Sequence, residues 1–266
     1  MINNTSTRFP VLFIGHGSPM NAIEDNDFSR KWQELGKSLP IPRAILCISA
    51  HWETDGTLAT AMEHPRTIHD FWAFPAELYE KTYPAPGDPR LAEECSRSIT
   101  AAAVGLDREW GLDHGTWSVL SRMYPDAAIP VVQLSLDRSR PGSFHYALAK
   151  ELALLREQGI LIVGSGNMVH NLGRMMVKGA DFNEPFGFDW ALEANDLFKK
   201  LLENRRHAEL ADYRSLGSAA RLAIPTNEHY LPMLYAIALQ REDEELSFFN
   251  DAPVAGSLTM TSFMFG

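Results

Sequence analysis

The stretch "VLFIGHGSPM", residues 11–20, runs four strand-forming residues (Val11, Leu12, Phe13, Ile14) into a histidine set between two glycines. An unbroken apolar run of this kind reads as a buried strand, and Gly15 and Gly17 allow a sharp turn where side chains would obstruct it. His16 is therefore expected at a strand end, held by a tight turn. Two further stretches repeat the arrangement. "AILCISAHWE" (44–53) ends a second apolar run at His51, and "GILIVGSGNMVHN" (159–171) passes through a glycine-rich turn to His170. Ligands of open α/β sheets bind outside the carboxyl ends of the strands, so these three histidines can share one pocket while lying far apart in sequence.

Around these stretches, strand-like runs recur near 10–14, 44–50, 57–62, 130–136, 159–165 and 256–264. Helical spacing or composition falls between them at 26–37, 88–103, 142–157, 187–204 and 227–240. Strands alternating with helices predict an α/β layer structure with a central sheet. The irregular, aromatic-rich region 52–87, including "HDFWAFPAELY", is expected to form a loop that walls a site. No linker or repeat divides the chain, so residues 1–266 are read as a single catalytic domain.

Two more histidines sit at predicted element ends. In "IPTNEHYLPMLY", Thr226 is a plausible N-cap for a helix beginning at Asn227, which puts Glu228 and His229 in its first turn. In "LDHGTW", His114 stands beside Gly115. Neutral imidazoles suit iron, zinc, copper and nickel, and three protein ligands with open positions are the pattern of a catalytic rather than a structural metal site. A lone histidine at a strand end is ordinarily a packing residue, so the reading rests on the recurrence. His145 and His207 are expected on or near charged helical surfaces, and His64 and His69 in the long loop, where His69 could line a pocket.

The bulk numbers narrow the class. With 45% hydrophobic and 22% charged residues the chain has an ordinary globular composition, and its net charge of −10 with no basic stripe argues against nucleic acid and acidic membrane surfaces. No apolar run is long enough for a membrane span, and "MINNTSTRFP" lacks an apolar leader segment. The two cysteines, Cys47 inside "AILCIS" and Cys95, point to buried hydrophobes in a reducing cytoplasm rather than a disulfide framework. "GHGSPM" fails the dinucleotide fingerprint at Met20 and "GSGNMV" fails it at Val169. No phosphate loop, G-x-S-x-G elbow or H-E-x-x-H occurs.

Taken together, "FIGHGSPM", "SAHWE", "TIHDFWAFPAELYEKTYPAPG", "LDHGTW", "PVVQLSL", "GSGNMVHNL" and "TNEHYLPMLY" resemble the class III extradiol ring-cleaving dioxygenases, most closely the 4,5-DOPA extradiol dioxygenase family. The segments span nearly the whole chain in order. The resemblance implies a central mixed β-sheet flanked by helices, with a non-haem metal at the strand ends. It implies His16, His51 and His229 as metal ligands and His170 as the acid/base over the open side of the metal, or as a fourth ligand when zinc occupies the site. It further implies His114 as a substrate-facing catalytic residue, with Trp52 and His69 as substrate-lining candidates. Many class III enzymes use a glutamate as third ligand. Glu228 and His229 are adjacent here and would point about 100° apart on a helix, and His229 is the chosen ligand. The implied reaction is cleavage of a catechol such as L-DOPA by O2 beside its two hydroxyls, with Fe(II) for activity and Zn(II) able to occupy the same imidazoles. A zinc hydrolase with Glu228 as general base would use the same histidines, and a non-catalytic binding protein would keep the fold without the metal. Oligomeric state stays open, a homo-oligomer included.

Overall fold

The computed structural model describes residues 8–178 and 181–266. The polar start Met1–Thr7, read above for a leader segment, lies outside the described residues. Six strands form the central sheet: β1 (Val11–Gly15), β2 (Ala44–Ser49), β3 (Val131–Gln133), β4 (Ile160–Gly166), β5 (Leu246–Phe249) and β6 (Ser262–Phe265). Their order is β3-β2-β4-β1-β6-β5. The first four in that order run parallel, whereas β6 is antiparallel to both β1 and β5, so the sheet is mixed.

Side chains alternate faces along a strand, and both faces are covered. One face of the sheet sends Val11, Phe13, Leu46, Ile48, Ile160 and Ile162 into a core shared with α2 (Pro89–Ser98), α4 (Gly142–Lys150), α5 (Asp189–Glu203) and α6 (Leu231–Ala238). The other sends Leu12, Ile14, Ile45, Cys47, Leu161 and Val163 against α1 (Asp27–Ser38) and α3 (His114–Met123). Both cysteines are buried and free, as expected. Among the described residues no helix is long and apolar enough to cross a membrane.

Register decides where the site forms. Gly15 pairs with Gly166, and Ser49 with Ser165, so the carboxyl ends of β1, β2 and β4 lie side by side. The chain leaves each end hydrogen-bonded to its neighbour: the His16 N–H donates to Gly166 O (3.0 Å) and the Ala50 N–H to Ser165 O (2.9 Å). Gly17 turns the chain with φ +59°, a left-handed conformation that favours glycine.

Several sequence expectations need correction. The helix expected from Asn227 with Thr226 as N-cap begins instead at Leu231, because Pro232 has no N–H and is tolerated only in a first helical turn. Thr226 Oγ1 donates to Glu228 Oε1 (2.9 Å), and residues 228–230 form a turn. Helix α3 was not expected from "HGTWSVLSRM", whose Gly, Ser and β-branched residues are weak helix formers. It forms because Asp113 caps it, accepting from the Thr116 N–H (3.1 Å), and because nearly all of it is buried. The run 57–62 yields Thr57–Thr60, which pairs with Val104–Asp107 rather than joining the central sheet. The run 142–157 breaks into α4 and Ala153–Glu157. His145 is fully buried rather than at a charged surface, its Nδ1 lying 3.0 Å from the Tyr235 hydroxyl.

Candidate metal centre

The strand ends bring His16, His51 and His229 together, their ring centroids 5.0–5.3 Å apart in a nearly equilateral triangle. One ligand-capable atom of each lies within 4.8 Å of the others. His229 enters from the turn before α6, and Gly166 makes the approach fit: a Cβ there would stand 2.1 Å from the His229 carbonyl oxygen.

Each imidazole has an acceptor at Nδ1, which sets its tautomer. His16 Nδ1 lies 3.0 Å from Ser165 Oγ, and that hydroxyl spends its only proton on Gly115 O (2.5 Å). Ser165 therefore accepts from His16, leaving Nε2 as the lone-pair nitrogen. His51 Nδ1 is 3.3 Å from Asp70 Oδ2, and His229 Nδ1 is 3.1 Å from Glu228 Oε1, with the same consequence. The Nε2 atoms of His16 and His51 stand 3.1 Å apart.

Electrostatics keeps these rings neutral. Burial first, then the neighbouring imidazoles, hold His16, His51 and His229 well below the usual histidine pKa, with Asp70 opposing the shift at His51. Three neutral imidazoles, two buried and His51 half-buried, with convergent lone pairs form a donor set that fits a first-row divalent metal such as iron or zinc. Neither cysteine joins a candidate metal group among the described residues, and burial pushes both Cys47 and Cys95 up to about 12.

The other predicted residues fall around this triangle. His170 stacks on His229, rings 3.5 Å apart and 7° from parallel, and burial, followed by the charge of His114, lowers its pKa to about 4. His114 packs on His51, rings 3.8 Å apart. Glu228 lies behind His229, at its Nδ1 side. His69 anchors the long loop, Nε2 2.9 Å from Lys81 O, and borders Phe71 and Trp117, and Phe71 in turn meets the His114 ring edge-on. Trp52 is buried and stacked on Trp110.

Two carboxylates escaped the sequence reading. Asp70 faces both His51 and His114, and Asp113 accepts from Ser49 Oγ and Gln133 Nε2 (2.6 Å each) beneath them. Burial pushes the Asp70 carboxyl up, but contact with His114 and the charge of His51 outweigh it, so it ionises below the usual range. The N-cap signature Asp113-x-x-Thr116 is readable in "LDHGTW". For Asp70 the only local signal is an acid beside His69 in the aromatic loop.

The chain matches the family described as the catalytic LigB subunit of aromatic ring-opening dioxygenase over residues 10–254. It is 46% identical to the 4,5-DOPA dioxygenase extradiol of Escherichia coli K12, an alignment covering 98% of this chain and 96% of that one. It is 36% identical to the enzyme of the same name from Beta vulgaris, over 96% of each. A crystal structure of an uncharacterized protein from Escherichia coli K12 superposes with a TM-score of 0.84 at 42% identity, covering 97% of this chain and all of the other. The mixed sheet, the histidines at its carboxyl edge and these full-length similarities agree: the chain belongs to the LigB family of aromatic ring-opening dioxygenases and is a metal-dependent oxidoreductase acting on a small aromatic molecule with O2.

Proposed function

We propose that this protein cleaves a catechol carrying an amino-acid side chain, L-DOPA being the first candidate, beside its two hydroxyls, with Fe(II) held by His16, His51 and His229. The observation that carries this reading is the triangle of neutral imidazoles flanked on two sides by further imidazoles. The name shared by the Escherichia coli and Beta vulgaris relatives supports the substrate. A ferrous ion held by His16, His51 and His229 would supply the redox contact between catechol and dioxygen.

The chain's own part is positioning and proton transfer. His170 and His114 stand on either side of the triangle. A neutral imidazole at either place can accept a catechol hydroxyl proton and return it to a product oxygen. We assign the main acid/base role to His170, and to His114 contact with the substrate oxygen. His69 and Trp52, which adjoin Asp70 and His51 in sequence, extend the substrate-lining set. Zinc binds such imidazoles more tightly than Fe(II) by the usual affinity order, so it is the expected competitor in purified protein. We treat residues 1–266 as one catalytic unit acting in the cytoplasm.

The test is oxygen uptake with L-DOPA and simple catechols after metal removal and anaerobic loading with Fe(II), beside a Zn(II) sample. Uptake with a yellow semialdehyde-type product in the iron sample alone is the expected result. No uptake across a varied catechol panel, with iron demonstrably bound, would overturn the assignment.

A further inference from the structure

We propose that Asp70 is a positioning residue that fixes one tautomer on two imidazoles at once, His51 and His114, so that each keeps Nε2 free of a proton. The inference rests on the reading of His51 as a metal ligand and His114 as a substrate-facing residue. Its geometric basis is independent of both roles.

Asp70 Oδ2 lies 3.3 Å from His51 Nδ1, and Oδ1 lies 3.0 Å from His114 Nδ1. Both contacts are electrostatic rather than in-line hydrogen bonds, His114 Nδ1 having no hydrogen-bond partner among the described residues. In-line bonding to Oδ1 comes from the His114 backbone N–H (2.9 Å), one of the donors left without a partner at the start of α3. That bond pins the carboxylate against the helix end while its two oxygens face the two rings. Among the described residues no Lys or Arg lies within ion-pair distance of Asp70, so its charge is directed at the imidazoles. An ionised carboxylate accepts and never donates. In either ring a proton on Nδ1 lies nearer that negative charge than a proton on Nε2, so the carboxylate favours Nδ1–H in both.

The consequence is chemical. With the proton on Nδ1, His114 meets a catechol hydroxyl as an acceptor. The O–H bond breaks, the electron pair stays on the catechol oxygen, and the proton moves to Nε2. The imidazolium so formed lies beside the Asp70 carboxylate, which stabilises it. The same carboxylate aims the His51 lone pair, so one side chain of the aromatic loop serves both the metal ligand and the neighbouring substrate-facing imidazole. Sharing also explains the close packing of the two rings, centroids 3.8 Å apart. His16 and His229 have acceptors of their own, Ser165 and Glu228.

The experiment uses metal-free full-length protein with 15N-labelled histidine, whose long-range 1H–15N spectra report which ring nitrogen carries the proton. The wild type should show Nδ1–H on His51 and His114. Asp70→Asn presents an amide that can donate to Nδ1, and should shift at least one ring to Nε2–H. Zinc affinity, measured by competition with a chelator, should fall by ~10–100-fold, the usual effect of losing such a partner. Asp70→Glu should restore the wild-type tautomers and most of the affinity. Nε2–H on either wild-type ring overturns the proposal whether or not the variants fold, as does an Asn variant with unchanged tautomers and affinity. Tautomers that respond as expected in a protein that binds no metal would sink the metal reading and leave the positioning role standing.

Discussion

His16→Ala, His51→Ala and His229→Ala each remove one corner of the imidazole triangle, and each should reduce bound metal sharply when the loaded protein is assayed by elemental analysis. Unchanged metal content in all three would remove the site assignment. Glu228→Gln is a milder change, because Glu228 meets His229 at Nδ1 and sits behind the ring. It should weaken metal binding less than His229→Gln does, and the reverse order would make Glu228 the ligand. His170→Ala tests a different property. Its ring stacks on His229 outside the triangle, so metal should remain while turnover falls by ~10²–10⁴-fold, the range for a proton-transfer group. Metal loss with turnover intact would contradict that role.

At the scale of elements, the site depends on how closely the end of β4 approaches the turn that carries His229. Gly166 permits a contact that no side chain could, since a Cβ there would lie 2.1 Å from a backbone oxygen that has no room to yield. The same oxygen accepts from the Asn167 N–H at 2.8 Å, which ties the turn to the strand. Gly166→Ala should therefore cost about 1–3 kcal/mol as an overpacking change and displace His229 from the other two rings. Urea unfolding and metal titration of the same variant read both effects. A variant with wild-type stability and affinity would show that the turn can relax. Helix α3 makes the complementary point: its weak intrinsic propensity is overridden by the Asp113 cap and by burial against the sheet and α1.

Across the whole molecule, many histidines are held neutral by burial. His16, His51 and His229 lie well below their ordinary pKa, while His170 and His145 are lowered to about 4. The unfolded chain takes up protons near pH ~6.5, where the folded chain does not. As pH falls from ~7 to ~5 the unfolded state binds more protons, so metal-free protein should lose stability by up to about 1.4 kcal/mol per pH unit for each such histidine. Stability is restored as pH rises again through the same window. Thermal melts of metal-free protein at the two ends of this window check the sign, and a melting temperature that does not drop on acidification would refute it. Because the folded ligands stay neutral across this window, the rise in melting temperature that bound metal brings should be similar at its two ends.

The sequence by itself determined strands near 10–14, 44–50 and 159–165, the glycine turns at their ends and the histidines just beyond them. Apolar runs and turn chemistry are local properties that hold wherever the segment is placed. The order of segments from "FIGHGSPM" to "TNEHYLPMLY" was likewise enough to indicate the family. Only the tertiary structure decided that β4 lies between β1 and β2, that Pro232 delays α6 so that His229 sits in a turn, and that Asp70 and Asp113 stand behind the histidines. These depend on groups tens to hundreds of residues apart meeting at hydrogen-bond distance, and that follows from the packing of whole elements rather than from the pattern within any one of them.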